Sequence, residues 1–326
     1  MRSLGWPWGF RCLLGALLLA LPASATGTLP GDNGRIAFSW YSRHEDELGL
    51  SPTTVMRSID VARADGRGRR TLRGCTEVGG MPESGDCSIE YHSPAWSPDG
   101  KRVAFDAGAR LALMRGDGTR FRLLEQRTTD DGAPAWSPSG KRLVFSGAET
   151  EGGETDLYVL DLASGRVRRL SEGGGRSPDW SSRGRIAFVR GRRPDRAGFR
   201  PGEGDVYTIR PDGTDLRRIT RHRGADPTWS PGGKRLIFAR QRRFGPFSLY
   251  VVRAYGRGLR RLRRPGAGPE AAVWSPDGRQ IVHRSFEGTL VAQRLGARRT
   301  REIAPGGYGA EYSFGAGGFD WQPLRR

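Results

Sequence analysis

Ser97, Asp99 and Lys101 crowd around Pro98 and Gly100 in the stretch SPAWSPDGKRVAF, residues 93–105. A hydroxyl, a carboxylate and an amine so close together are the raw material of a nucleophilic or acid–base site. Residues 132–145, GAPAWSPSGKRLVF, carry the same pattern with Ser139 in place of the aspartate. A reacting carboxylate would not be exchanged for a hydroxyl from copy to copy. The recurrence therefore reads as scaffold, and the chain must be searched for what the scaffold repeats.

Tryptophan marks the repeat: Trp96, Trp136, Trp180, Trp229, Trp274 and Trp321 are spaced 40 to 49 residues apart. That period belongs to four-stranded propeller blades. In each unit an inner strand runs into the Trp, and a Ser-Pro-Asp-Gly turn follows, with proline fixing φ and glycine accepting positive φ. Next come a second strand such as Val103-Ala104-Phe105 and a third such as DLYVLDL from Asp156. A turn such as Asp212-Gly213 then leads to an outer strand ending Arg-Arg-Leu or Arg-Arg-Ile. No helical periodicity competes beyond the first 25 residues. NGRIAFSW from Asn33 matches a second strand with no Trp strand before it, and GFDWQPL near the C-terminus is a first strand with nothing after it. Joined, they complete one blade and remove the open edges of an unclosed array. The expected fold is an all-β, six-bladed propeller over residues 33–324, closed by strands from both termini.

The repeat W-S-P-D-G-K-R-[IVL]-x-F resembles the WD40-like repeat of the TolB family, across almost the whole of 33–324. Ser139 and Gly232 depart from it at the aspartate, SSRG (181–184) replaces SPDG, and the sixth copy keeps only Trp321 and Pro323. The resemblance implies a propeller-only relative lacking the α/β domain that precedes the propeller in TolB, so TolB's own partners are not carried over. The propellers of prolyl-oligopeptidase relatives are also similar, without their hydrolase domain.

The first residues read as a leader. Arg2 and Arg11 precede the apolar run CLLGALLLAL, and Ala23-Ser24-Ala25 forms a small-residue cleavage site. The expected organisation is a signal peptide at 1–25, a short segment at 26–32 and the propeller. The apolar run is short of the roughly 20 residues that span a bilayer, so no stable membrane insertion is expected after cleavage. Export to a secreted or periplasmic location, with Cys75 and Cys87 the two cysteines left, predicts a disulfide between them. The formal net charge is +19, almost all of it arginine, since Lys101, Lys141 and Lys234 are the only lysines. Export argues against nucleic acid as the partner of this charge and leaves anionic envelope polymers.

Function is expected where the repeat does not reach. The second-to-third loops and blade-to-blade loops share one face, around residues 39–54, 73–92, 146–155, 190–204, 239–247 and 304–318, and variable loops on a rigid frame commonly bind ligands. Residues ahead of each Trp should ring the channel mouth on that face: Glu90, His92, Asp131, Arg176, Asp226 and Glu270, with Asp130 and Asp320. Converging carboxylates would suit a basic peptide end or a divalent cation. No cofactor is otherwise implied. No G-x-S-x-G elbow, H-E-x-x-H, C-x-x-C or phosphate loop occurs. His44, His92, His222 and His283 are scattered, and His44-Glu45-Asp46-Glu47 reads as an exposed loop. The outer-strand arginines read as a guard against edge-to-edge pairing. The expectation is a monomeric binding or scaffold module of the cell envelope with a protein or peptide partner, favoured over an enzyme. A metal-dependent propeller hydrolase or lyase is the first alternative, and a binder of anionic envelope polymers the second.

Overall fold

Val103 and Phe105 leave one face of their strand and Ala104 the other, and all three are completely buried. A strand apolar on both faces needs cover on both sides. The chain supplies that cover by ringing six sheets around an axis. The computed structural model describes residues 32–44, 54–78, 80–85, 87, 89–125, 128–151, 153–191, 204–221, 223–241, 247–262, 271–284, 289–297, 299–305 and 318–324. The proposed leader, Glu270 and His222 lie outside the described residues.

Blade 1 contains β1 (Asp32–His44), β2 (Thr54–Ala62), β3 (Arg70–Val78) and β4 (Met81–Ser84), with the C-terminal strand β25 (Phe319–Leu324) added inside β1. Ile36 pairs with Trp321 and Phe38 with Phe319, antiparallel, so both ends of the chain close the ring as expected. Blades 2 to 6 are four-stranded and begin with the inner strands β5 (Tyr91–Trp96), β9 (Thr129–Trp136), β13 (Arg176–Trp180), β17 (Ala225–Trp229) and β21 (Ala271–Trp274). Each inner strand touches the next, and β21 meets β25. Among the described residues all regular structure is β. Two details differ from the sequence reading. The segment 73–92 is not wholly loop, because its first six residues belong to β3, and β4 adds a fifth strand to that sheet. The propeller also starts one residue earlier, at Asp32, which pairs with Leu324.

The apolar core is six separate clusters, and each spans the junction of two neighbouring blades. Phe105 packs with Ala37, Ile59 and Val61 of blade 1, while Ala104 joins the cluster of blade 3. The six tryptophans are buried at the same junctions. The cysteines bond as predicted, Cys75 of β3 to Cys87, and tie down the β3–β4 hairpin.

The Ser-Pro-Asp-Gly turns explain which motif residues can vary. Ser97 Oγ accepts the Arg102 N–H at 2.9 Å, and Ser137, Ser230 and Ser275 do the same for Arg142, Arg235 and Gln280. In the fourth copy Ser181 Oγ accepts from Arg185 at 3.0 Å. All five serines are buried, so apolar replacement would strand a backbone N–H. Asp99 and Asp277 accept from their own Ser and from the N–H two residues on, at the turn's outer edge. Water can replace that contact, which is why Ser139 and Gly232 are tolerated there. Gly100 is held at φ +66°, and a Cβ there would run into the Pro323 carbonyl.

Three residues before the Trp, Ser93, Ala133, Ser177 and Asp226 hold φ between +49° and +53°. Ladder register shifts at the same place, the mark of a β-bulge that re-aims neighbouring side chains. The next residue is Pro94, Pro134, Pro178 or Pro227, tolerated because the inner strand is a sheet edge with no partner for that N–H.

The arginine belt is more than an edge guard. The second Arg of a pair reaches back to the third strand of its own blade: Arg169 grips Asp156, and Arg218 pairs with Asp205 at 2.5 Å. The first reaches the next blade. Arg70 donates to the Gly116 carbonyl at 3.1 Å, Arg168 to the Pro211 carbonyl, and Arg217 lies over the Tyr255 ring.

His283 breaks the pattern. It occupies the position held by Phe105, Phe145, Phe188 and Phe238 in blades 2 to 5, facing blade 5, and neither ring nitrogen has a hydrogen-bond partner. Burial lowers its pKa from 6.5 to about 4. Because the folded-state pKa lies below the unfolded one, its contribution is fully present above pH 6.5 and lost as pH falls through about 4. His283→Phe should therefore stabilise the fold by about 1–3 kcal/mol at pH 7, and flatten the fall in melting temperature between pH 6.5 and 4; thermal unfolding across pH checks both. A chain ending at Gly318 loses β25 and with it the closure of the ring. It should lose cooperative unfolding and associate through its open edges, as read by calorimetry and gel filtration.

Candidate functional site

The bulged inner strands decide what faces the channel. Arg176, Ser177 and Asp226 lie on adjacent blades, and Ser177 Oγ–H donates to Asp226 Oδ1 at 2.9 Å across the junction. Arg176 is half-buried, and burial lowers its pKa against the opposing pull of Glu154. Glu90 and His92 flank the entrance of blade 2, with His92 Nε2 3.3 Å from Glu90 Oε2. Arg57 stands 3.9 Å from Glu90 and 3.0 Å from Glu77. Asp131 is buried at the start of β9, where its backbone N–H donates to the Ala109 carbonyl. The structure thus brings together Glu90 with His92, and Ser177, beside Arg176 in sequence, with Asp226, as two groups on different blades rather than one constellation. Among the described residues no three His, Cys, Asp or Glu side chains are placed to hold a metal ion.

Two carboxylates matter more than the sequence suggested. Asp106 follows Phe105 on the second strand of blade 2. Its pKa is raised to about 7, first by burial and then by the charges of Asp131 and Glu90, against a backbone hydrogen bond at Ala109. Asp179 precedes Trp180 and was hidden in the motif variant SPDW. It accepts the Trp229 N–H of the next blade at 2.6 Å. Asp320 does the same in blade 1 for the Trp96 N–H at 2.7 Å. Blades 1 and 4 are opposite in a ring of six, so the two side chains look into the channel from opposing walls. Loss of hydration raises Asp179 to about 7, with the charge of Asp320 adding to the rise, and Asp320 to about 6. The only signal in the sequence was an aspartate at the residue before Trp in two of six copies.

Two carboxylates of raised pKa therefore stand on the inner strands of this strongly basic chain. Asp179 and Asp320 have folded-state pKa values above the ordinary carboxylate value of 3.8. Their protonated forms favour the fold, so that stability is full below about pH 4 and lost as pH rises through 6 to 7. Asp179→Asn with Asp320→Asn keeps both acceptors for the Trp N–H groups. The double variant should be more stable than the parent at pH 8 and should lose this pH dependence, measured by chemical denaturation from pH 4 to 8.

No family model and no curated protein matches the sequence. Solved structures do. TolB from Acinetobacter baumannii superposes with a TM-score of 0.64 at 19% identity, over 90% of this chain and 68% of that one. A protein described as TolB from Agrobacterium tumefaciens gives 0.61 at 19%, over 76% and 90%. An oligogalacturonate lyase in complex with manganese gives 0.52 at 12%, over 85% and 86%. At these identities the likeness is one of fold, and the fold is the TolB-like six-bladed propeller.

Proposed function

We propose that the chain is an exported binding module of the cell envelope that takes a protein or peptide partner on its variable-loop face, with a basic segment of the partner entering the channel. The observation that carries this is the carboxylates of the inner strands: Asp179, Asp226 and Asp320, against Arg176 alone at the same level, in a chain whose net charge is +19. Acidic walls set inside a basic exterior attract a cationic segment and repel the bulk of the protein's own surface. The bulged, proline-locked strands hold these groups rigidly, which lowers the ordering cost of binding. The TolB-like fold supports a protein partner. The leader-like pattern of residues 1–25 and the Cys75–Cys87 bond support an oxidising compartment. A monomer suits a ring that closes on itself. The oligogalacturonate lyase shares the fold alone, and no described cluster of ligands favours the metal-dependent alternative over binding.

The test is titration of a lysine-rich decapeptide with a free amino terminus, against its alanine counterpart. The basic peptide should bind and the neutral one should not. Asp226→Asn preserves the Ser177 hydrogen bond and suits positive φ, and it should weaken binding about tenfold, the loss of one charged contact. Equal affinity of parent and variant would remove the channel from the proposal.

A further inference from the structure

The turn face, which the repeat appears to reserve for scaffold, carries a cavity of about 850 Å³ over blade 4. Its lining includes Arg142, Arg168, Arg183, Arg185 and Arg210, with Asp212 as the one carboxylate. This is where the repeat decays. In blades 2, 3, 5 and 6 the motif Ser N–H donates to the carbonyl five residues on, Ser97 to Arg102 at 2.8 Å for example. In blade 4 Ser181 donates to Arg185, four residues on, at 2.7 Å. The turn has lost one residue, and the shortened loop leaves a depression between the full-length turns on either side. A Cβ built on Gly184 would meet nothing within 4 Å.

The chemistry changes at the same place. Asp99 and Asp277 supply a carboxylate to the turns of blades 2 and 6, but blades 3, 4 and 5 have Ser139, Arg183 and Gly232. The three departures are consecutive, so one arc of the face lacks the motif carboxylate while its arginines remain. Arg185 pairs with Asp215 at 2.7 Å, and Arg210 lies 3.6 Å from the same carboxylate. Arg142 lies over the Trp180 ring, Arg168 donates to the Arg169 and Pro211 carbonyls, and Arg183 Nε donates to the Gly232 carbonyl at 2.9 Å. Arg142 also lies opposite Asp161 in the ladder and adds to the Ser164 hydrogen bonds that lower the pKa of its carboxyl, whereas Arg168 and Arg183 have no carboxylate at salt-bridge distance among the described residues. Asp212 is occupied by the Thr214 N–H and hydroxyl.

We propose that this groove binds a short anionic glycan, its carboxylate or phosphate groups held by Arg142, Arg168 and Arg183 and a sugar ring resting on Tyr255. The planar guanidinium fork suits both kinds of anion. The volume falls in the range of small-ligand sites, roughly 300–1,000 Å³. Pro211, Ala254 and Tyr255 are the apolar lining, and Tyr255 is 68% exposed. A rigid aromatic face suits a sugar ring, whereas an acidic peptide would want deep apolar pockets for its anchors. The site is on the opposite face from the channel mouth and stands or falls independently of the peptide reading.

The test is calorimetric titration of the purified mature chain in about 0.15 M salt, where long-range attraction is screened beyond about 8 Å. The probes are a hyaluronan tetrasaccharide for carboxylate, a mannotetraose phosphate monoester for phosphate, neutral maltotetraose and tetraglutamate. One or both charged glycans should bind, and which one assigns the anion. Arg142→Gln with Arg183→Gln should weaken that binding at least tenfold. Arg122→Gln with Arg301→Gln removes the same charge from exposed outer strands elsewhere and should leave it unchanged. Arg183→Gln alone touches no core residue and guards against a folding defect from the Trp180 contact. Failure of both charged glycans to bind overturns the proposal. So do equal losses in the two double variants, or tetraglutamate or maltotetraose binding as tightly as the charged glycans.

Discussion

No blade of this protein has a core of its own. Every apolar cluster lies between two sheets, so each blade is stable only while both neighbours are in place. An open array of such sheets would leave two apolar faces and two strand edges in water. The β25–β1 pairing removes all of these at once, which makes a handful of residues at the far ends of the chain a condition for the middle of it. Ring closure also has a geometric consequence: six inner strands must point edges at a common axis, and whatever their side chains are becomes the wall of a channel.

The repeat does two jobs that separate cleanly at the level of atoms. The buried serine satisfies a backbone N–H that has no other partner, and it is kept in all five copies, the shortened blade 4 turn included. The aspartate braces the rim of the same turn, and it is dispensable. Loss of the aspartate is therefore cheap for the fold and free to serve another purpose. In blades 3 to 5 it is replaced by Ser139, Arg183 and Gly232, and with the shortened blade 4 turn the groove is lined by five arginines and one carboxylate. A motif that marks scaffold can, by its departures, mark a site as well.

Charge is arranged by radius. Arginines on the outer strands clamp third-strand aspartates and the turns of the next blade, so much of the basic excess stitches the circumference. Carboxylates occupy the axis, where Asp179 and Asp320 cap Trp N–H groups of the following blades while remaining partly protonated near neutral pH. These two aspartates are at once structural ties and acids whose lost hydration raises their pKa.

The fold was legible in the sequence because its signals are local and repeated: six tryptophans at a blade period, turn residues at fixed offsets, and complementary half-blades at the two ends. The disulfide followed from two cysteines in a chain whose sequence reads as exported. The site was legible only in outline. Glu90, His92, Arg176 and Asp226 were placed near the mouth by counting back from Trp, but which of them touch depends on the bulges at Ser93, Ser177 and Asp226, where positive φ turns the neighbouring side chains. Asp179 and Asp106 looked like ordinary motif and strand residues. Their importance comes from burial and from partners a blade or half a ring away, distances that no local pattern encodes. Strand order, turns and ring size thus belong to the one-dimensional pattern, because short-range hydrogen bonding and period suffice to specify them. The inner-strand carboxylates and the arginine-lined groove belong to closure, because only the ring brings residues as much as 224 positions apart into contact across neighbouring blades.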